Sequence, residues 1–228
     1  MLLWRRLPQR SNVRQEDAMT LADTAYDSLR RDIMRGHLPP GQPLRLEALR
    51  ARYDMGFSPL REALNRLQSE RLVVSASMKG FIVAPLSLPE MWEAIEARVL
   101  VETEALRLSI LRGDDAWEAG VVAALHALGL AAARGEPETL EARHAEFHLS
   151  LIAACGSGWL LDFARKLSAA TERYRAPVLA GDTAPRDVQG EHAALAEAAL
   201  ARRAEEAPAL LAAHYRRTGE RIAARMAA

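Results

Sequence analysis

The sequence predicts a mainly α-helical protein in two parts, and three observations predict it. Half of the 228 residues are apolar but only 5% are aromatic, and the apolar share is mostly Ala and Leu, a composition that favours packed helices over sheets. Three segments of helical period between Thr20 and Ser69 are followed by two short β-prone runs. From Pro89 onward nearly every segment reads as helix, broken only at glycine and proline clusters.

Residues 1–18 are basic, polar and aperiodic and read as a flexible arm. Leu21, Ala25, Leu29 and Ile33 then fall at helical spacing between the N-cap candidate Thr20 and Gly36. HLPPGQPL reads as a turn and Leu46 to Tyr53 as a short helix. In MGFSPLREALNRLQSERL, Ser58 reads as the N-cap and Pro59 as the first residue of a third helix. Leu60, Leu64 and Leu67 make its apolar stripe and leave Arg61, Asn65 and Arg66 facing outward. RLVVSA and GFIVAP, joined by Ser77 to Gly80, read as a β-hairpin. This first domain spans residues 19–85, and a linker at 86–89 offers Ser87 as a cap for the next helix. Residues 90–228 break at Gly113-Asp114, Gly135 to Pro137, Gly156 to Gly158, Ala180 to Pro185 and near Ala207-Pro208, which gives an all-α bundle of six helices started by Asp114, Ser157 or Asp182. Trp92, Trp117 and Trp159 read as core packing.

Arg107, His126 and Arg134 interrupt the apolar stretches before any reaches the roughly 18 residues of a membrane span. Arg5 and Arg6 follow too few apolar residues to leave a signal-peptide core. The single cysteine, Cys155, suits a reducing compartment. The expectation is therefore a cytoplasmic protein with no membrane contact. The formal net charge of zero divides unevenly: residues 1–85 carry 14 Lys and Arg against 9 Asp and Glu, the remainder 16 against 21. A basic first half suits a polyanionic partner. Three helices and a hairpin in a basic segment is the order of a winged helix-turn-helix, in which a helix fits the major groove, Arg side chains serve guanine edges and phosphates, and the hairpin lies on the neighbouring backbone. A small helical domain with solvated arginines satisfies the same pattern.

In the second half, HAEFH places His144 and His148 four positions apart, on one face of a helix, where they can clip one ion. GEHAALAEA and LLAAHYRR supply His192 and His214 from two further segments. Core or surface histidines with ordinary hydrogen-bond partners fit that spacing too. The enzyme patterns are incomplete. A zincin needs His-Glu-x-x-His, and Glu146 stands one place too late. A di-iron bundle needs two Glu-x-x-His clips, and the second candidate begins with Gln189. Gly156-Ser157-Gly158 joins helices with no strand before it, so it is no nucleophile elbow.

AYDSLRRDIMRGHLPPGQPLRLEAL, FSPLREALNRLQSERLV and KGFIV together resemble the DNA-binding domain of GntR-type transcription regulators, with its Gly-x-Leu-x-Pro-Gly turn and Pro-x-Arg-Glu-Ala-Leu recognition helix. The second half is similar to the FadR C-terminal, or FCD, type of effector domain. The resemblance implies a base-reading role for Arg61, a phosphate contact for Ser58, a wing tip at Lys79 and Gly80, and a backbone contact for Arg45. Asn65 and Arg66 complete the expected DNA-binding set by their outward positions. Where the family has Ser-Arg before Thr-Pro, this chain has Gly56-Phe57, so one arginine is missing and the operator is expected to differ. A phenylalanine can meet a thymine methyl but makes no bidentate hydrogen bonds to guanine.

For the second half, the resemblance implies a divalent metal held by His148, His192 and His214, with His144 in place of the usual Asp. Imidazoles suit zinc, with nickel as an alternative. Arg98 matches the arginine of the effector cavity, and Tyr174 and Arg175 are expected beside it. A metal with open positions next to a guanidinium is a receptor for a small carboxylate. On spacing alone, Arg98 and Glu102 are equally an ordinary helical ion pair. The function so implied is non-enzymatic: a homodimeric repressor on a pseudo-palindromic double-stranded operator, controlled by an organic acid bound near the metal. A metal-dependent enzyme and a protein-interaction module built on the bundle are the alternatives.

Overall fold

The structure, a computed structural model, describes residues 20–76, 80–135, 137–179 and 186–227. The expected arm, Lys79 and the 180–185 break with Asp182 lie outside the described residues. The first domain contains α1 (Leu21–Met34), β1 (Pro43–Leu44), α2 (Leu46–Tyr53), α3 (Phe57–Ser69), β2 (Val73–Ala76) and β3 (Gly80–Val83). The second contains α4 (Leu88–Arg112), α5 (Asp115–Arg134), α6 (Pro137–Ile152), α7 (Gly158–Leu179), α8 (Val188–Leu200) and α9 (Glu206–Ala227). Among the described residues the chain is thus mainly helical, a winged helix-turn-helix followed by six helices.

Thr20 caps α1 by a full capping box, its hydroxyl accepting from the Asp23 amide while the Asp23 carboxylate accepts from the Thr20 amide. α3 starts two residues earlier than its sequence suggests. Asp54 in the left-handed region (φ 51°) turns the chain, Gly56 becomes the N-cap, and Ser58 and Pro59 fall within the first turn, where a missing N–H costs no helical bond. Leu60, Leu64 and Leu67 are fully buried and face Leu29 of α1 and Leu72 and Val73 beside the wing.

The wing is a three-stranded antiparallel sheet in the order β1-β3-β2 rather than a two-stranded hairpin. Pro43 pairs with Ile82 and Leu44 with Phe81. Pro43 hides this strand from a sequence pattern, yet an edge strand tolerates a residue that lacks a donor.

Each helix of the bundle has its own start. Ser87 accepts from the Glu90 amide and Asp114 from the Trp117 amide, capping α4 and α5. Ser157 accepts from the Leu160 amide. Asp187 caps α8, and an added Cβ on Gly190 would lie 2.2 Å from its carboxylate. The last break falls at Ala201 to Glu205, ahead of Pro208, because proline is accepted in the first turn of α9. Met91, Leu106, Phe147, Leu151 and Ile152 form the centre of the second core.

Two further expectations change. Trp117 is buried and Trp92 packs on the core, but Trp159 is 76% exposed beside Phe163. It stands at the second position of α7. Among the described residues one helix, α5, is long and apolar enough to cross a membrane by length and composition, with a mean hydropathy of 1.4. His126 does not interrupt it as a charge would, and Arg134 lies at its last position. The helix nevertheless packs against α6 and α8 through Trp117, Val121, Leu128 and Ala131.

Candidate metal centre and nucleic-acid interface

One ring nitrogen from each of His144, His148, His192 and His214 lies within 4.8 Å of the others. α6 contributes the first two, whose Nε2 atoms are 3.2 Å apart, and α8 and α9 one each. The four side chains are between 2% and 9% exposed. Burial holds His144 and His148 well below the ordinary imidazole range, His192 at about 4 and His214 at about 3. All four are neutral at pH 7, the form in which imidazole donates a lone pair.

Neighbouring groups orient these rings. Glu191 Oε2 is 2.8 Å from His214 Nδ1, so that nitrogen donates its proton to the carboxylate and Nε2 keeps its lone pair. Arg186 holds Glu191 in turn, at 2.6 Å, and donates to Thr218 Oγ1. Tyr215 donates to Glu102, and its oxygen lies 3.2 Å from His148 Nδ1. His148 therefore carries its proton on Nδ1 and presents Nε2 to the cluster. The Nε2 of His192 is buried with no hydrogen-bond partner among the described residues. An orphaned buried nitrogen is costly, and a cation bound there would satisfy it. The donor set fits a divalent ion with imidazole affinity.

Two cavities flank the cluster. The inner one has a volume of about 40 Å³ and is lined by Arg98, Ser168, Thr171, Glu172, Arg175 and Tyr215 beside His144 and His214. The outer one, about 380 Å³ and open, is lined by Arg175, Arg186, Gln189, His192 and Arg221 among others. Arg98 is buried, with Nε 2.6 Å from Glu102 Oε1, Nη1 2.9 Å from Thr171 Oγ1, and its guanidinium 4.1 Å from the centre of the Tyr215 ring. The helical pair with Glu102 is real, but it lies in the interior rather than on the surface. Arg175 pairs with Glu141 and reaches both cavities.

Tyr174 does not join them. Its ring is 1% exposed, and its hydroxyl accepts from the Ser87 amide and from Arg173, which turns it toward the linker. Glu191 and Tyr215, which orient two rings of the cluster, are adjacent in sequence to His192 and His214, and that adjacency is the signal for them. Glu102, Thr171 and Arg186 reach the cluster only through tertiary packing.

In the first domain, Arg45, Arg61 and Gly80 line one open hollow of about 570 Å³, with Leu44, Glu47 and Phe81. Ser58 and Asn65 are exposed on α3, and Phe57 is exposed at its first position beneath the Arg50 guanidinium. Arg66 is turned away, 2.6 Å from Asp23 and 4.1 Å over the Tyr26 ring, so it ties α3 to α1. Its side chain is still 42% exposed, but the guanidinium is held by an aromatic face and a carboxylate on α1.

Residues 93–217, more than half of the chain, match the FCD domain, and residues 21–83 match the bacterial regulatory proteins of the gntR family. The HTH-type transcriptional regulator BphR of Paraburkholderia xenovorans is 39% identical over 201 residues, covering 86% of this chain and 82% of its own. The HTH-type transcriptional repressor GlaR of Escherichia coli K12 is 37% identical, covering 83% and 90%. The solved structure of E. coli McbR/YncC superposes with a TM-score of 0.74 at 21% identity, over 87% of this chain and 94% of that one, a likeness of fold. The chain belongs to the GntR family of transcriptional regulators, with an FCD domain following its winged helix-turn-helix, and is not an enzyme.

Proposed function

We propose that this regulator is a repressor whose operator binding is set by a small carboxylate held between a divalent ion and Arg98 in the second domain. The observation that carries the reading is the convergence of four neutral, oriented imidazoles on one point beside a buried guanidinium. His144, His148, His192 and His214 would hold the ion, zinc by availability with nickel as the alternative. Bound there, it supplies a Lewis-acid site for a carboxylate oxygen, while Arg98 and Arg175 supply the charge that orients the acid. The inner cavity, bordered by Arg98 and Arg175, suits a small acid.

On the DNA side, Arg61 and Asn65 would face the major groove, with Ser58 on a phosphate and Arg45 and the wing residues Lys79 and Gly80 on the backbone. Phe57 is available for a thymine methyl. One such helix reads too few base pairs to select a site, so a homodimer on a pseudo-palindrome is required. Leu100 and Leu111 on α4 and Val122 and Leu130 on α5 are exposed apolar positions that a second copy would cover. The repressor role is supported by the name of the E. coli relative, and action on chromosomal DNA suits the cytoplasm.

The test is elemental analysis of purified wild type and His148→Ala, with melting temperature followed as carboxylic acids are added. About one divalent ion per chain, lost in the variant, with stabilisation by an acid in the wild type alone, is the expected result. A wild type that carries no metal and responds to no acid would leave the histidines as bundle packing.

A further inference from the structure

α7 runs along the inner cavity, and consecutive residues on it face in opposite directions. Ser168, Thr171, Glu172 and Arg175 line the cavity. Arg173 and Tyr174 instead hold the chain that joins the two domains. The Arg173 side chain is 5% exposed and donates to the Ala84 and Pro85 carbonyls at 3.2 Å, to Glu90 at 3.0 Å and to the Tyr174 hydroxyl. Glu172 does both jobs. Its carboxylate borders the cavity and also pairs with Arg30 of α1 at 3.2 Å, with the two side chains 19% and 32% exposed. Among the described residues it is the only cavity-lining side chain ion-paired to the DNA-binding domain.

We infer that Glu172 is the positioning residue through which occupancy of the cavity reaches the DNA-binding domain. With the cavity free of anions, Glu172 holds Arg30 and so docks α1, and with it the α3 recognition helix, against α7. α1 and α3 move as one body because Arg66 bridges to Asp23 and Leu29 packs on the α3 stripe. Glu141 already faces Glu172 on the cavity wall, and a carboxylate drawn in by Arg98 and Arg175 adds a further negative charge beside it, in an interior where like charges repel strongly. Glu172 then gives up Arg30, the DNA-binding domain loses its fixed orientation, and two half-sites are no longer met at the required spacing. The inference rests on the carboxylate-sensor reading only for the identity of the disturbing charge. The ion pair itself is testable without any ligand.

The experiment uses the full chain loaded with zinc and an operator recovered by in vitro selection, with affinity read by fluorescence anisotropy. Glu172→Arg and Arg30→Glu are each expected to weaken operator binding at least fivefold, and the double exchange to return it to within twofold of wild type. A merely structural loss at either position would not be repaired by exchanging the charges. Ser168 lies one helical turn before Glu172 on the cavity wall, so Ser168→Asp mimics the anion. It is expected to weaken binding at least threefold more than Ser168→Asn does, and the excess should vanish in the exchanged background, where residue 172 is cationic. Failure of the double exchange to recover affinity, or equal effects of Asp and Asn at position 168, overturns the inference while leaving metal and acid binding intact. A chain that binds metal and acid but selects no operator overturns both readings.

Discussion

The Tyr215 hydroxyl stands between Glu102 and His148, donating to the carboxylate while its oxygen receives the His148 Nδ1 proton at 3.2 Å. One phenol thereby connects the buried Arg98–Glu102 pair to the tautomer of an imidazole in the cluster. Tyr215→Phe keeps the ring under Arg98 but removes that orientation. Zinc affinity, measured by competition with a chelating dye, is expected to fall by roughly 10- to 100-fold, the cost typical of losing an outer-shell partner. An unchanged affinity would show that His148 is oriented by packing alone.

Arg98 and Glu102 are both buried, so neither tolerates loss of the other. Arg98→Met should cost about 3–5 kcal/mol in urea unfolding, because it leaves a carboxylate uncompensated. Arg98→Met/Glu102→Leu should recover most of that loss. A double variant no better than the single one would mean that Tyr215 and Thr171, rather than the pair, carry the stability of this layer.

Helices α4 and α9 cross at Gly219. A Cβ there would lie 2.5 Å from Ile95 Cδ1 and 2.9 Å from the Trp92 ring, so Gly219→Ala is expected to destabilise by about 1–3 kcal/mol through overpacking. Gly120 on α5 has nothing within 4 Å of the same point. There the alanine should be neutral or stabilise by up to about 1 kcal/mol, since only helix propensity changes. Thermal melts of the two variants separate steric contact from propensity.

Arg61 and Arg66 stand five residues apart on α3 and should behave oppositely. Arg61→Ala is expected to leave the melting temperature unchanged and cost about 1–3 kcal/mol of operator affinity, the value of a base-reading arginine. Arg66→Ala, which breaks the Asp23 pair and uncovers Tyr26, should lower stability first. A variant at Arg66 that melts like wild type but loses DNA would return this residue to the interface.

Asp32 receives hydrogen bonds from Tyr53 at 2.7 Å and Arg52 at 2.5 Å. Burial pushes its carboxyl up, but Tyr53 and Arg52 outweigh burial and hold it below the ordinary value near 4. A carboxylate so depressed contributes stability that is present above its unfolded value and lost as pH falls through the folded one. The first domain should therefore weaken as the pH drops below about 4, and Asp32→Asn should flatten that part of the acid-unfolding curve.

The architecture was legible because its signals are local. Thr20, Ser87 and Asp114 cap the helices their sequence positions announce, and Leu60, Leu64 and Leu67 fall on the buried face that their spacing requires. The four histidines were legible too, two by the i,i+4 rule and two by the resemblance. Their supports were not. Tyr174 and Arg175 are neighbours on α7, and only packing against the linker decides that one leaves the cavity while the other stays. Arg66 reads as outward from the stripe of its own helix, and the tertiary approach of Tyr26 and Asp23 claims it. Pro43 reads as a turn, and β3 makes it a strand.

The four imidazoles come from α6, α8 and α9, with roughly 70 residues of chain between the first and the last. In an unfolded chain only His144 and His148 are neighbours, and two ligands are a poor trap for an ion. Full coordination exists only when the final helix has docked. A divalent ion at that point would act as a reversible staple, closing a long loop much as a covalent cross-link does and removing entropy from the unfolded chain. The same ion would stabilise the bundle most where its last ligand docks, so removing it with a chelator should loosen α9 first.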